Sequence, residues 1–274
     1  MLKYIVFITQ KQLPLLDELK SQCTKKGVII CEIFPENETL IEETIYVTDN
    51  EEICKGLLNE NACVMAWMHE ENKEQNFSAV SYAIENLEEI DFTYFEKIYL
   101  RYLGLPWKIA ETKRCIIREM TEADLDDVYN VYNGKSITKY MEGLYEDRQE
   151  ELEYTRSYIQ NAYTFWGFGT WIIEKKEAHS IIGRIGLNMR EGFEDIELGF
   201  VIMEEEQRKG YALECCRAVL ILAKEEFEFE RVQALIHEGN IASVGLCKKL
   251  GFIFEGKVKD EGKEYLKFIK TLHS

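Results

Sequence analysis

Between the apolar run Glu197-Leu198-Gly199-Phe200-Val201-Ile202 and a long helix-forming stretch, 213–227, stands Gln207-Arg208-Lys209-Gly210-Tyr211-Ala212. The pattern reads as a strand, a basic turn with one glycine, and a helix whose first N–H groups have no partner within the helix. Such an end binds anions, because the unsatisfied donors converge and the helix dipole places partial positive charge there. Gly210 lets the backbone approach a ligand with no Cβ in the way, and Ala212 is the next smallest choice. A diphosphate is expected on the amides of 207–212, with Arg208 or Lys209 adding charge.

Neither GxxxxGK[ST] nor GxGxxG occurs in this segment, so triphosphate and dinucleotide sites of those kinds are not expected. Downstream, Val232–Ile236 reads as a buried strand, and Asn240-Ile241-Ala242-Ser243 opens a short helix that closes at Leu250-Gly251-Phe252. Gly251 suits the left-handed residue past a helix end, and Asn240 suits an N-cap whether or not it also meets a ligand.

Ile202, four residues, then Gln207-Arg208-Lys209-Gly210-Tyr211-Ala212, followed by Asn240, Ser243 and Leu250-Gly251-Phe252, resembles the GNAT family of acetyl-CoA-dependent N-acetyltransferases over roughly 113–272. The first piece matches the family's V-x-x-x-x-[QR]-x-x-G-x-[GA] loop and the second its N-x-x-S…LGF block. The resemblance implies a mixed sheet whose central strands splay apart. Phe200, Val201 and Ile202 would offer backbone groups to pantetheine and the acetyl oxygen, with the Ile202 amide as an oxyanion-type donor. Asn240 and Ser243 would reach the same cofactor. Acetyl-CoA is the implied cosubstrate, and a primary amine would attack its thioester directly in a ternary complex.

The resemblance makes Glu197 the candidate general base, although the strand period of two puts it on the opposite face from Ile202 unless a bulge intervenes. Where many members carry a tyrosine general acid, this chain has Cys247, read as a core residue, so the acid stays unassigned. That departure is shared with the branch resembling ribosomal-protein N-terminal acetyltransferases. Tyr140 and Trp166 are expected to line the acceptor pocket. The alternative activity is a non-catalytic acyl-CoA sensor, told apart by whether loss of Glu197 removes any turnover.

At 274 residues the chain is comfortable for two domains. The expected division is a small α/β domain over 1–103, a connection over 104–112, and the acetyltransferase-like domain over 113–274. In the first, Tyr4–Ile8, Val28–Ile30, Ile45–Val47 and Ala62–Met65 read as buried parallel strands between helical stretches, giving a three-layer Rossmann-like α/β arrangement. This part faintly resembles the haloacid-dehalogenase-like core, with Val47-Thr48-Asp49-Asn50 as its acidic loop. Its first strand runs into Phe7-Ile8-Thr9-Gln10 and lacks the nucleophilic aspartate of that family. No phosphatase activity is expected, and a regulatory, homodimerising, substrate-covering or purely structural role is left.

A formal charge of −17 disfavours nucleic acid and favours a cationic amine, while also serving solubility. The eight cysteines form no C-x-x-C pair and the four histidines have no ligand spacing, so no metal is expected. Reduced thiols, the lack of a membrane-length apolar run and the lack of a secretion signal point to a cytoplasmic protein without a membrane partner.

Overall fold

Every residue of the run Ile181-Ile182-Gly183-Arg184-Ile185-Gly186-Leu187 is buried. Only a strand covered on both faces and paired on both edges accommodates such a run. The computed structural model describes residues 1–32, 38–134, 136–141 and 143–272, and the chain divides into two units, Met1–Leu105 and Pro106–Ser274.

The first unit is a parallel sheet of order β2-β1-β3-β4-β5, with β1 Tyr4–Ile8, β2 Ile29–Cys31, β3 Thr44–Thr48, β4 Cys63–Trp67 and β5 Ala83–Ile84. Its strands alternate between two cores. Ile5, Phe7, Ile45, Val47 and Met65 pack with Leu19 and Cys23 of α1 (Asp17–Lys26) and with Phe95 and Ile98 of α3 (Phe92–Tyr102). Val6, Tyr46, Val64 and Ala66 pack with Cys54 and Leu57 of α2 (Glu51–Asn59), whose N-cap is Asn50. Helices therefore cover both faces, which is why each strand is apolar at consecutive positions. Asp49, at the carboxyl end of β3, accepts from the amides of Gln10 and Lys11 at 2.9 Å each and lies 3.3 Å from His69 Nε2.

The second unit holds an eight-stranded sheet of order β12-β13-β11-β10-β9-β8-β7-β6. In chain order come β6 (Lys108–Glu111), β7 (Cys115–Arg118), α4 (Leu125–Tyr132), α5 (Arg148–Tyr158), β8 (Thr170–Lys175), β9 (Ile181–Asn188) and β10 (Ile196–Ile202). There follow α6 (Tyr211–Glu225), β11 (Arg231–His237), α7 (Ile241–Lys249), β12 (Ile253–Asp260) and β13 (Lys263–Thr271). Within the expected connection 104–112, Lys108–Glu111 is thus an edge strand of the sheet. Helix α5 does not end near Asn161 as its periodicity suggests. It continues as a wider π-helical turn over Ile159–Trp166, stopped by Gly167 at φ 74°.

Neighbouring strands of this sheet are antiparallel except β10 and β11, which are parallel and register at only two positions, Ile196↔Val232 and Glu197↔Gln233. Beyond them the pair parts. Arg184 on one face lies 6.0 Å from the ring of Tyr132 in α4, while Cys115 on the other bonds Cys215 of α6, so the two sets of helices cover opposite faces. Burial of Cys215, Cys216, Val219, Leu220 and Ala223 fastens α6 to the sheet, at roughly 1 to 3 kcal/mol per large side chain. At the start of the unit Thr121 and Asp124 form the expected capping box, and Arg118 grips the Asp124 carboxylate through two bonds of 2.8 and 2.9 Å.

Candidate active site

The loop after β10 ends at Gly210, whose φ of 89° is a left-handed conformation that a Cβ-bearing residue adopts only with strain. No side chain caps α6, and its first internal bond runs from the Glu214 amide to the Gly210 carbonyl, so the amides of Tyr211, Ala212 and Leu213 have no partner within the helix. These donors and the bare Gly210 suit a phosphate-bearing ligand. The cations differ from expectation. Lys209 is paired to Glu206 at 3.0 Å, and Lys175 bonds the same carboxylate at 3.2 Å. Arg208 is exposed on a left-handed turn at φ 59°. The guanidinium that organises the loop is Arg114, at the foot of β7. It bonds the Lys209 carbonyl at 3.0 Å, lies 4.1 Å from the Tyr211 ring centre, and pairs with Glu214 at 2.7 Å. Its Nη2 stands 3.4 Å from where a Cβ on Gly210 would sit.

The parting of β10 from β11 exposes main chain, and the ladder on the other side of β10 says which groups. Met203 donates to Ile182 across from it, so alternate residues, Val201, Gly199 and Glu197, use their main-chain groups on β9. Leu198, Phe200 and Ile202 turn theirs the other way, where the Leu198 amide is spent on the Gln233 carbonyl in the last rung of the β10–β11 ladder and Phe200 and Ile202 face the crevice. Contrary to expectation Val201 does not, since its carbonyl faces Gly183 of β9. The Ile202 carbonyl is itself occupied by Gln207 Nε2 at 3.0 Å.

At the closed end of the crevice stands Glu197. The β10–β9 register runs without a shift from Glu197↔Asn188 to Ile202↔Gly183, so no bulge brings Glu197 to the face of Ile202. Its carboxylate bonds Arg190 Nη1 at 2.9 Å and accepts from the Leu235 amide, a donor turned towards β10 beyond the last paired residue. Arg190 in turn bonds Asp260 at 2.7 Å. Burial raises the Glu197 carboxyl above the usual carboxylate range, and Arg190 and the Leu235 amide only partly offset it. Beside it, Gln233 is wholly buried and neither its Nε2 nor its Oε1 has a hydrogen-bond partner among the described residues. An amide left so costs about 1 to 3 kcal/mol.

A family model described as acetyltransferase (GNAT) domain matches residues 114–253, just over half of the chain. The chain belongs to the GNAT acetyltransferase family. It is 28% identical over 155 residues, 55% of this chain and 86% of the relative, to the uncharacterized N-acetyltransferase YoaA of Bacillus subtilis. In fold it is similar to the ribosomal-protein-S5-alanine acetyltransferase of Vibrio fischeri, with a TM-score of 0.51 and 15% identity over 61% of this chain and 96% of that one. It is likewise similar to RimL, a ribosomal L7/L12 α-N-protein acetyltransferase solved with coenzyme A, with a TM-score of 0.52 and 14% identity over 60% of this chain and 98% of that one.

For a GNAT chain, the remaining expected residues distribute unevenly. Asn240 accepts from the Ser243 amide at 3.2 Å and so caps α7, with Ser243 half-buried behind it. Tyr140 lies 5.4 Å from the ring of His237 and against Gly239, at the β11 end of the site. Trp166 is half exposed and lines a separate groove with Tyr158, Phe168 and Asn188. Cys247 is buried in the core, which pushes its thiol up to about 12 and leaves it unsuited to protonate a leaving group near neutral pH. Among the described residues no group of acidic, cysteine or histidine side chains could hold a metal ion, and no helix is long and apolar enough to cross a membrane. Arg114 and Arg190 escaped the sequence because Glu214 and Asp260 lie 100 and 70 residues along the chain from them, and Gln233 because its place beside Glu197 depends on strand pairing.

Proposed function

We propose that this GNAT protein transfers an acetyl group from acetyl-CoA to a primary amine by direct attack. The observation that carries the reading is the crevice between β10 and β11, closed at Glu197↔Gln233, lined by unpaired main chain, and leading to the uncapped helix at Gly210. The bound coenzyme A of RimL, a protein of the same fold, supports it.

The amides of Tyr211, Ala212 and Leu213 would hold the diphosphate, with Arg114 fixing the loop and Arg208 and Lys209 at its rim. The main-chain groups of Phe200 and Ile202 would bond the pantetheine arm. Phe200, whose amide is the first that the ladder leaves free beyond the closed end, donates to the thioester oxygen, because the Ile202 amide lies about 7 Å further out, at two residues of strand rise. Asn240 and Ser243 border the same arm from α7. Glu197, ionised, accepts the proton of the incoming ammonium. The amine lone pair then forms the C–N bond as the C–S bond breaks, and the proton that the nitrogen sheds passes to the thiolate. Burial raises the pKa of Glu197, which makes its carboxylate a stronger base than one in water. Tyr140 and Trp166 would flank the acceptor, a small amine, an amino acid or a protein N-terminus.

The ion pair that occupies Glu197 favours one second reading, an acyl-CoA sensor without turnover. For the first unit we infer a degenerate, haloacid-dehalogenase-like domain without phosphoryl transfer, in keeping with an Asp49 carboxylate taken up by backbone amides. A thiol-release assay with acetyl-CoA across amines, amino acids and short peptides tests the main reading. Release above background with at least one acceptor is expected, and none with any acceptor, despite coenzyme A binding, would favour the sensor.

A further inference from the structure

Beside Asn188 lies a groove of about 320 Å³ walled by Tyr154, Tyr158, Trp166, Phe168, Leu187 and Met189, with no charged side chain in its lining. Asn188 itself joins the groove to the reacting end of the sheet, since it pairs with Glu197 across the β9–β10 ladder. Its Oδ1 accepts from the Tyr158 hydroxyl at 3.1 Å and from the Thr170 hydroxyl at 3.2 Å. Two donors on one oxygen fix which way the carboxamide points. The Nδ2 is left facing the strip above Gly199, where it is the one atom of the described residues within 4 Å of the place a Cβ would take, at 3.8 Å, apart from the flanking residues of the strand. Glycine at this position keeps a lane open between the groove and Glu197, because period two puts positions 197 and 199 on one face.

We propose that Asn188 determines acceptor specificity: its Nδ2 donates to an oxygen next to the attacked amine, and the groove holds an uncharged apolar body. The acceptor is then an apolar α-amino amide, such as a peptide N-terminus with a large apolar first residue, and not a polyamine. A second ammonium would have to leave water for a groove that offers it no carboxylate, which is costly. The excess of acidic residues does not alter this, because none of them lines the groove. The inference rests on the acetyl-transfer reading above, so its test separates binding from turnover.

Calorimetric titration of the coenzyme A-loaded protein with L-phenylalaninamide, phenethylamine and spermidine reads acceptor binding without chemistry. Phenylalaninamide should bind at least about tenfold more tightly than phenethylamine, the factor expected of one added hydrogen bond, and spermidine most weakly. Asn188→Asp keeps the oxygen that Tyr158 and Thr170 need but removes the donor, so the ratio between the first two ligands should fall to about one. Gly199→Val fills the lane and should weaken both by about tenfold or more, with coenzyme A affinity reporting that the variant is folded. Spermidine binding best, or a ratio unchanged in Asn188→Asp, would overturn the assignment. Thiol release with polyamines alone would sink the inference and leave acetyl transfer standing. The expected binding order without thiol release from any amine would support the assignment of Asn188 and remove the transfer reading.

Discussion

Glu197 and Gln233 form the last registered pair between β10 and β11, a carboxylate paired with Arg190 beside a fully buried carboxamide with no hydrogen-bond partner among the described residues. From this pair outward the sheet is open, and the polar groups it leaves unsatisfied are those a substrate can satisfy. The arrangement gives up stability at one point of the sheet for a place where chemistry can occur.

Replacing Glu197 by Gln should lower kcat for amine acetylation about 100-fold or more while KM for acetyl-CoA changes little. On the proposed mechanism the ionised carboxylate of Glu197 is the active form, and burial holds its pKa above the usual carboxylate range. The rate should therefore rise with pH through a value above about 4.3 and then level, and the limb should vanish in the variant. A pH–rate profile of both proteins checks this.

Gln233→Leu keeps the size of the side chain and removes its unpaired polar atoms. Unfolding by denaturant should find the variant as stable as the wild type or more so, by about 1 kcal/mol, since a buried amide without partners gives way to a hydrocarbon. Its turnover should fall, and a loss of several kcal/mol instead would mean that the carboxamide is satisfied in solution.

At Gly210 a β-branched residue must adopt a left-handed φ of 89°. Gly210→Val should cost about 1 to 3 kcal/mol of stability through backbone strain and remove measurable coenzyme A binding. Arg114→Ala should weaken that binding by a smaller factor, because it frees the Lys209 carbonyl and the Tyr211 ring but leaves the helix amides in place. Coenzyme A titrations of the two variants decide the order.

Burial alone would raise the Asp124 carboxyl, but Arg118 and Thr121 outweigh it and hold it below the usual range. A lowered folded-state value contributes stability that is present above the unfolded value of about 3.9 and is lost as pH falls through the folded one. Asp124→Asn should then cost about 1 to 2 kcal/mol at pH 7, where Arg118 loses one of its two carboxylates and keeps Glu174 at 2.7 Å, and the gap to the wild type should narrow below about pH 4. Chemical denaturation at both pH values measures it.

Local chemistry decided what could be read in advance. The turn at Gly210, the capping box of Thr121 and Asp124, the N-cap at Asn240, and the alternation of β10 each depend on a few consecutive residues, so they are visible in the chain as written. What depended on pairing was not. That Arg114 holds a loop near residue 209, that Val201 spends its backbone on β9 while Leu198 does not, that Lys209 is tied to Glu206, and that Arg190 reaches both Glu197 and Asp260 follow from which strands lie side by side. Sequence encodes the period of each strand. The phase of one strand against its neighbour, and the point at which two strands part, are set by the packing of the whole sheet against its helices.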